Sequence, residues 1–218
     1  LEIPSTEVNM KLLMENWRKY LNEEPAAFHG AGMSPAQMRV DSCDFEEWDE
    51  EHGYADEQWE TGEKGCPQFS NDKGISSDHP DIQQAIEFLD NVKPSHLIAF
   101  SRGGAIAFAA LEHSYHSPPV TFVAPAWKRG WVSDLPPAEW LYDGGVIIHG
   151  TADDKVPLAH SAELSLATGM DLYVFDGLGH VNILKHKSNP TAGKLLSQEE
   201  KEELVRGEQE SNNTKMER

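Results

Sequence analysis

Only two cysteines, Cys43 and Cys66, occur in 218 residues. That is too few for a disulfide scaffold, and their spacing matches no zinc motif. Two free thiols are favoured over one bridge across the segment between them. Basic residues are scarce as well: 18 Lys and Arg stand against 37 Asp and Glu, giving a formal charge of −19. A field of that sign repels nucleic-acid phosphates and anionic membranes, which argues against both as partners. No apolar run approaches the roughly 20 residues that span a bilayer. Residues 1–25 lack the apolar stretch of a secretory signal. A soluble chain in the cytoplasm is the expectation.

What is present suits one domain with extensions. Residues 1–24 form an N-terminal segment in which Leu12, Leu13, Trp17, Tyr20 and Leu21 fall near helical spacing. Residues 25–195 carry the main domain, interrupted at 41–63 by eleven acidic side chains with no Lys or Arg, a density that reads as a solvated insertion. That insertion lacks the glycine-punctuated spacing of a calcium loop. His52, His79, His113, His116 and His186 have no evident partners, so no metal site is expected. Residues 196–218 are a charged tail, expected as a frayed helix followed by disorder.

Short apolar runs punctuate the main domain: 25–33, which ends in His29-Gly30 and a flexible turn and reads as a strand feeding a loop, then 96–100, 120–124, 145–149 and 172–175. Runs of this length, separated by helix-sized spacers, suit strands buried on both faces of a parallel sheet. Ile82, Ala85, Ile86 and Leu89 mark an amphipathic helix, with Asp78 or Asp81 near its start. The expected class is α/β, three layers around a mostly parallel sheet.

Chemistry-bearing residues fall where these strands end. Ala99-Phe100-Ser101-Arg102-Gly103-Gly104 places a serine between a buried strand and a small-residue helix. His149-Gly150-Thr151-Ala152-Asp153 offers a carboxylate just past the end of another strand. Gly177-Leu178-Gly179-His180 follows the last apolar run. Ser101 precedes Asp153 by 52 residues, and Asp153 precedes His180 by 27. A serine hydroxyl is a weak nucleophile that needs an adjacent base, and an imidazole needs a carboxylate to fix its tautomer.

Together these segments resemble the α/β-hydrolase superfamily, in particular carboxylesterases and dienelactone-hydrolase-like enzymes. The first is similar to the nucleophile elbow G-x-S-x-G, with Ala99 in place of the first glycine. The second is similar to H-G-x-x-D-x-x-V-P, in which the Asp is the acid. The resemblance implies a reduced sheet of five or six strands, a minimal cap, and a triad of Ser101, His180 and Asp153. It implies an oxyanion hole from the backbone N–H groups of Arg102 and of Ala31, after His29-Gly30. Trp127 and Trp131 would wall a substrate pocket, and the Arg102 side chain would orient an anionic substrate or pair with the acidic insertion. A small acyl ester or thioester is the implied substrate, and no cofactor is called for. His149 reads as a strand-end residue rather than a base. The alternative from another class is a catalytically silent scaffold that binds a ligand or partner.

Overall fold

The computed structural model describes residues 25–30, 66–70, 79–128, 145–187 and 189–216. The helix read at 10–24, the acidic insertion at 41–63, and Ala31, Asp78 and Trp131 lie outside the described residues.

Six strands make one sheet, and their spatial order is their order along the chain. They are β1 (Pro25–Phe28), β2 (His96–Phe100), β3 (Val120–Val123), β4 (Val146–Gly150), β5 (Asp171–Phe175) and β6 (Lys194–Leu195). The first five pair in parallel, and β6 runs antiparallel to β5. Every residue of β2, β3 and β4 is buried, so the sheet is a middle layer with both faces covered. This is the three-layer α/β architecture with a reduced, mostly parallel sheet that the sequence led us to expect.

Four α-helices stand among the described residues: α1 (Pro80–Val92), α2 (Arg102–His113) and α3 (Leu158–Thr168) in the connections between strands, and α4 (Gln198–Met216) after the last strand. Helix α1 buries Ile82, Ala85 and Leu89 and packs on α2. Its cap departs from the sequence reading. The His79 ring accepts from the Asp81 N–H at 3.2 Å, while the Asp81 side chain turns inward. Helix α2 is made of small residues because it lies against the sheet. A Cβ at Gly103 would stand 2.3 Å from the Phe28 carbonyl oxygen, so only glycine lets the helix start this close to β1.

Two expectations are corrected. Cys66 is disulfide-bonded rather than free, and its sulfur also accepts from the Ala27 N–H at 3.1 Å. The C-terminal segment is helical as expected, but the helix runs from Gln198 through Met216 where disorder was expected after a frayed start. Its anchors explain why: Leu204 and Val205 pack on the core, and Glu208 meets the His160 ring at 3.1 Å. Charge-rich composition hid a narrow apolar stripe.

One buried histidine makes stability depend on pH. His96 is 1% exposed on β2, with Nε2 2.9 Å from the Thr121 hydroxyl. Burial pushes its pKa from 6.5 down to about 4. Between those values the unfolded chain binds a proton that the folded chain refuses. Stability is therefore complete above pH 6.5 and falls as pH drops toward 4, by roughly 3 kcal/mol at about 1.4 kcal/mol per unit. Urea midpoints measured across this window should decline, and His96→Gln should flatten the decline. An unchanged slope in the variant would assign the effect elsewhere.

Candidate active site

Ser101 sits between the last residue of β2 and the first of α2, with φ 51° and ψ −116°. Non-glycine residues rarely adopt positive φ, and the strain persists only where surroundings over-determine it. Here they do. The Ser101 N–H donates to Val123 O at 2.9 Å, and its carbonyl accepts from Gly104 N at 3.0 Å and Ala126 N at 2.8 Å. The turn lifts the side chain clear of the strand.

The carboxylate and the imidazole arrive together. Gly150 ends β4 where a Cβ would lie 2.1 Å from the Leu178 carbonyl, so the two loops meet backbone to backbone. Ala152 N–H donates to that same carbonyl at 3.0 Å. This contact delivers Asp153 from one loop and His180 from the other to the C-terminal edge of the sheet, the edge where open α/β sheets place their sites.

The three side chains chosen from the sequence form a continuous hydrogen-bonded line. His180 Nδ1 is 2.7 Å from Asp153 Oδ2, and His180 Nε2 is 2.9 Å from Ser101 Oγ. A carboxylate only accepts, so Nδ1 carries the proton and Nε2 is left to accept from the serine hydroxyl. The Phe100 ring lies 4.8 Å from the imidazole, centroid to centroid, and limits its tilt. Asp154, the neighbouring carboxylate, points to solvent and pairs with Lys155.

Asp153 has both of its oxygens fully used. Oδ1 accepts from the Lys155 and Val156 N–H groups, each at 2.8 Å. Oδ2 faces His180 and, at 3.3 Å, His149 Nε2. Burial alone would push this carboxyl up, but the His149, His180, Val156 and Lys155 hydrogen bonds outweigh it and hold the pKa well below the carboxylate range. These hydrogen bonds favour the charged form of Asp153.

His149 is a site residue that the sequence did not assign. It is fully buried, with Nδ1 2.7 Å from Ser161 Oγ and Nε2 3.0 Å from Val156 O. Facing only acceptors, Nε2 must bear hydrogen, which directs it at Asp153 and away from any role as base to Ser101. The signal lay in the spacing of four between His149 and Asp153 at a strand end.

The remaining assignments divide. The Arg102 side chain is 1% exposed and lies 2.5 Å from Asp81 Oδ2, and the acidic insertion lies outside the described residues. Its backbone N–H belongs to the first turn of α2, where amides have no intrahelical acceptor. Gly30 lies beside the serine, since a Cβ there would be 2.9 Å from the Phe100 ring and 3.2 Å from Ser101 Cβ. Trp127 is 3% exposed, and its indole N–H donates to His160 O at 2.9 Å, which fixes it against α3. A groove of about 680 Å³ between α4 and the β5–β6 edge is lined by Leu158, Val174, Leu196 and Leu204 and includes none of Ser101, Asp153 and His180. Among the described residues, no set of three or more His, Cys, Asp or Glu side chains is placed to hold a metal ion. No helix among them is long and apolar enough to cross a membrane.

No protein-family model matches the chain, and no curated protein does. Among solved structures it is similar to MGS-MChE2, an alpha/beta hydrolase enzyme from the metagenome of sediments from the lagoon of Mar Chica, Morocco. The match has 18% identity and a TM-score of 0.40, over 51% of this chain and 64% of that one. At that TM-score the likeness adds nothing to what the sheet itself displays.

Proposed function

We propose that the chain is a serine hydrolase of the α/β-hydrolase type that cleaves a carboxylic ester or thioester through an acyl-Ser101 intermediate. The observation that carries this reading is the line from Ser101 Oγ through the His180 ring to Asp153, with spacings of 2.9 and 2.7 Å, on a serine held at φ 51°. Ser101 Oγ attacks the acyl carbon while His180 Nε2 takes its proton. The imidazolium is stabilised by Asp153 and returns that proton to the departing alkoxide or thiolate. Water then repeats the sequence on the acyl-enzyme and releases the acid. Negative charge on the tetrahedral intermediate is met by backbone N–H groups of Arg102 and Ala31.

The disulfide at Cys66 is of a kind that persists in oxidising surroundings. A fluorophosphonate probe tests the function directly. It should label the protein at Ser101 and leave Ser101→Ala unlabelled; folded protein that takes up no probe would favour the silent scaffold.

A further inference from the structure

We propose that His149 is a positioning residue for the acid of this site: from the end of β4 its Nε2–H holds the one oxygen of Asp153 that serves His180, and Ser161 on α3 sets its tautomer. The inference rests on the acyl-transfer reading and deepens it.

The arrangement follows from the chain. His149 is buried near the end of β4, and the backbone turns directly after it. The Asp153 N–H donates to the Gly150 carbonyl at 3.2 Å, which folds a residue four places on back over the strand end. His149 Nε2 then lies 3.3 Å from Asp153 Oδ2 and 3.0 Å from Val156 O. Both partners are acceptors, so Nε2 carries hydrogen whether the ring is neutral or charged. One N–H is thereby shared between the carboxylate and a backbone carbonyl farther along the same loop. In the neutral ring Nδ1 accepts from the Ser161 hydroxyl at 2.7 Å, and Ser161 is itself fully buried on α3.

The acceptor places on the carboxylate show what the ring supplies. The Asp153 side chain is 1% exposed, so solvent does not complete its shell. Oδ1 is met by the Lys155 and Val156 N–H groups at 2.8 Å each, and Oδ2 by His180 at 2.7 Å. His149 fills the place on Oδ2 that would otherwise be left dry and unmatched. The backbone pair fixes Oδ1 alone, and with that oxygen as a pivot Oδ2 could swing off the imidazole. A second donor on Oδ2, carried by a strand, removes that freedom. A shift of about 1 Å at a reacting group can cost on the order of 100-fold in rate. Once Oδ2 leaves, nothing keeps hydrogen on His180 Nδ1, and the tautomer that cannot accept from Ser101 becomes accessible.

The same N–H also draws negative charge from Oδ2, which by itself would weaken the support Asp153 gives to the imidazolium. The distances decide between the two effects. His180 stands 2.7 Å from Oδ2, whereas the His149 contact is 3.3 Å and is divided with Val156 O. The longer, divided bond restrains direction and leaves most of the charge to His180. Burial points the same way. A polar ring with no exposure costs desolvation that an apolar side chain at the end of β4 would avoid. What the ring adds is one fixed geometry for the acid.

The test compares wild type with His149→Leu/Ser161→Ala, which removes the donor together with the hydroxyl it would strand, and with His149→Gln, whose side-chain amide offers an N–H at similar reach. Urea unfolding establishes that each protein is folded. The readouts are kcat and KM for a short-chain aryl ester and the far-downfield NMR resonance of the proton between His180 and Asp153. The double variant should lose about 10- to 100-fold in kcat at unchanged KM, with that resonance shifted or lost to exchange, and His149→Gln should recover most of the loss. A folded double variant within about twofold of wild type in kcat would overturn the proposal, as would a change confined to KM. So would a His149→Gln protein as slow as the double variant, because the loss would then follow packing. Should the double variant fail to fold, His149→Met, which lacks the donor and keeps the space filled, takes its place. A wild type that a fluorophosphonate does not label overturns the acyl-transfer reading and this inference together. A wild type that labels, beside variants that match it in kcat, overturns this inference alone.

Discussion

Replacing Ser101 with alanine is expected to lower turnover of a short-chain aryl ester by roughly 10⁴- to 10⁶-fold, and replacing His180 with alanine by a similar factor. The two side chains act as one unit because the hydroxyl is 2.9 Å from the imidazole nitrogen that takes its proton. Without the ring, the serine remains a weak nucleophile at neutral pH. Without the serine, the ring has nothing to activate. The double variant should therefore be no worse than the more damaged single variant, and steady-state kinetics with all three proteins measures this. Losses that multiply in the double variant would mean that the two residues contribute separately, and turnover retained by Ser101→Ala would move the nucleophile elsewhere.

Asp153→Asn should cost about 10⁴-fold in kcat while leaving the fold intact, and the hydrogen bonds say why. The carboxylate accepts at Oδ1 from two backbone N–H groups and at Oδ2 from two imidazoles. An asparagine has one oxygen. Turned toward the backbone donors, it presents its NH₂ to His180 Nδ1, which must then give up its hydrogen and accept. The proton moves to Nε2, and the ring can no longer take one from Ser101. Turned the other way, it sets an NH₂ against two N–H donors, a worse arrangement in a buried turn. Raising the pH should not rescue the variant, because the defect is tautomeric. A variant with wild-type kcat would remove Asp153 from the mechanism.

The five parallel strands were legible because burial on both faces leaves continuous apolar runs. Strand β6 has two exposed residues, Lys194 and Leu195, and so no apolar run to find. Ser101, Asp153 and His180 were legible because each lies at a strand end in a local pattern. Asp81, Ser70 and His29 were not read as a set because what joins them is proximity across 40 residues between Phe69 and His29 and 21 between Asp81 and Arg102. Arg102 shows a related limit. A charged residue next to a nucleophile suggests substrate, and only the fold reveals that its guanidinium points into the protein. Cys66 shows the limit of spacing: a bridge between two positions depends on where the chain returns.

Sheet register carries a consequence for assembly. From β2 to β5, partners lie 23 to 25 residues apart, as in Leu97 with Val120 and Val146 with Asp171, whereas Pro25 and His96 are separated by 71. Closing the longer loop costs roughly 1 kcal/mol more in chain entropy, and short-range pairings form sooner. The serine and imidazole side can therefore nucleate as a contiguous block, with the first strand docking afterwards and bringing His29 and Gly30 with it. In that order the block from β2 to β5 already holds Ser101, Asp153 and His180 before Gly30 is brought beside the serine.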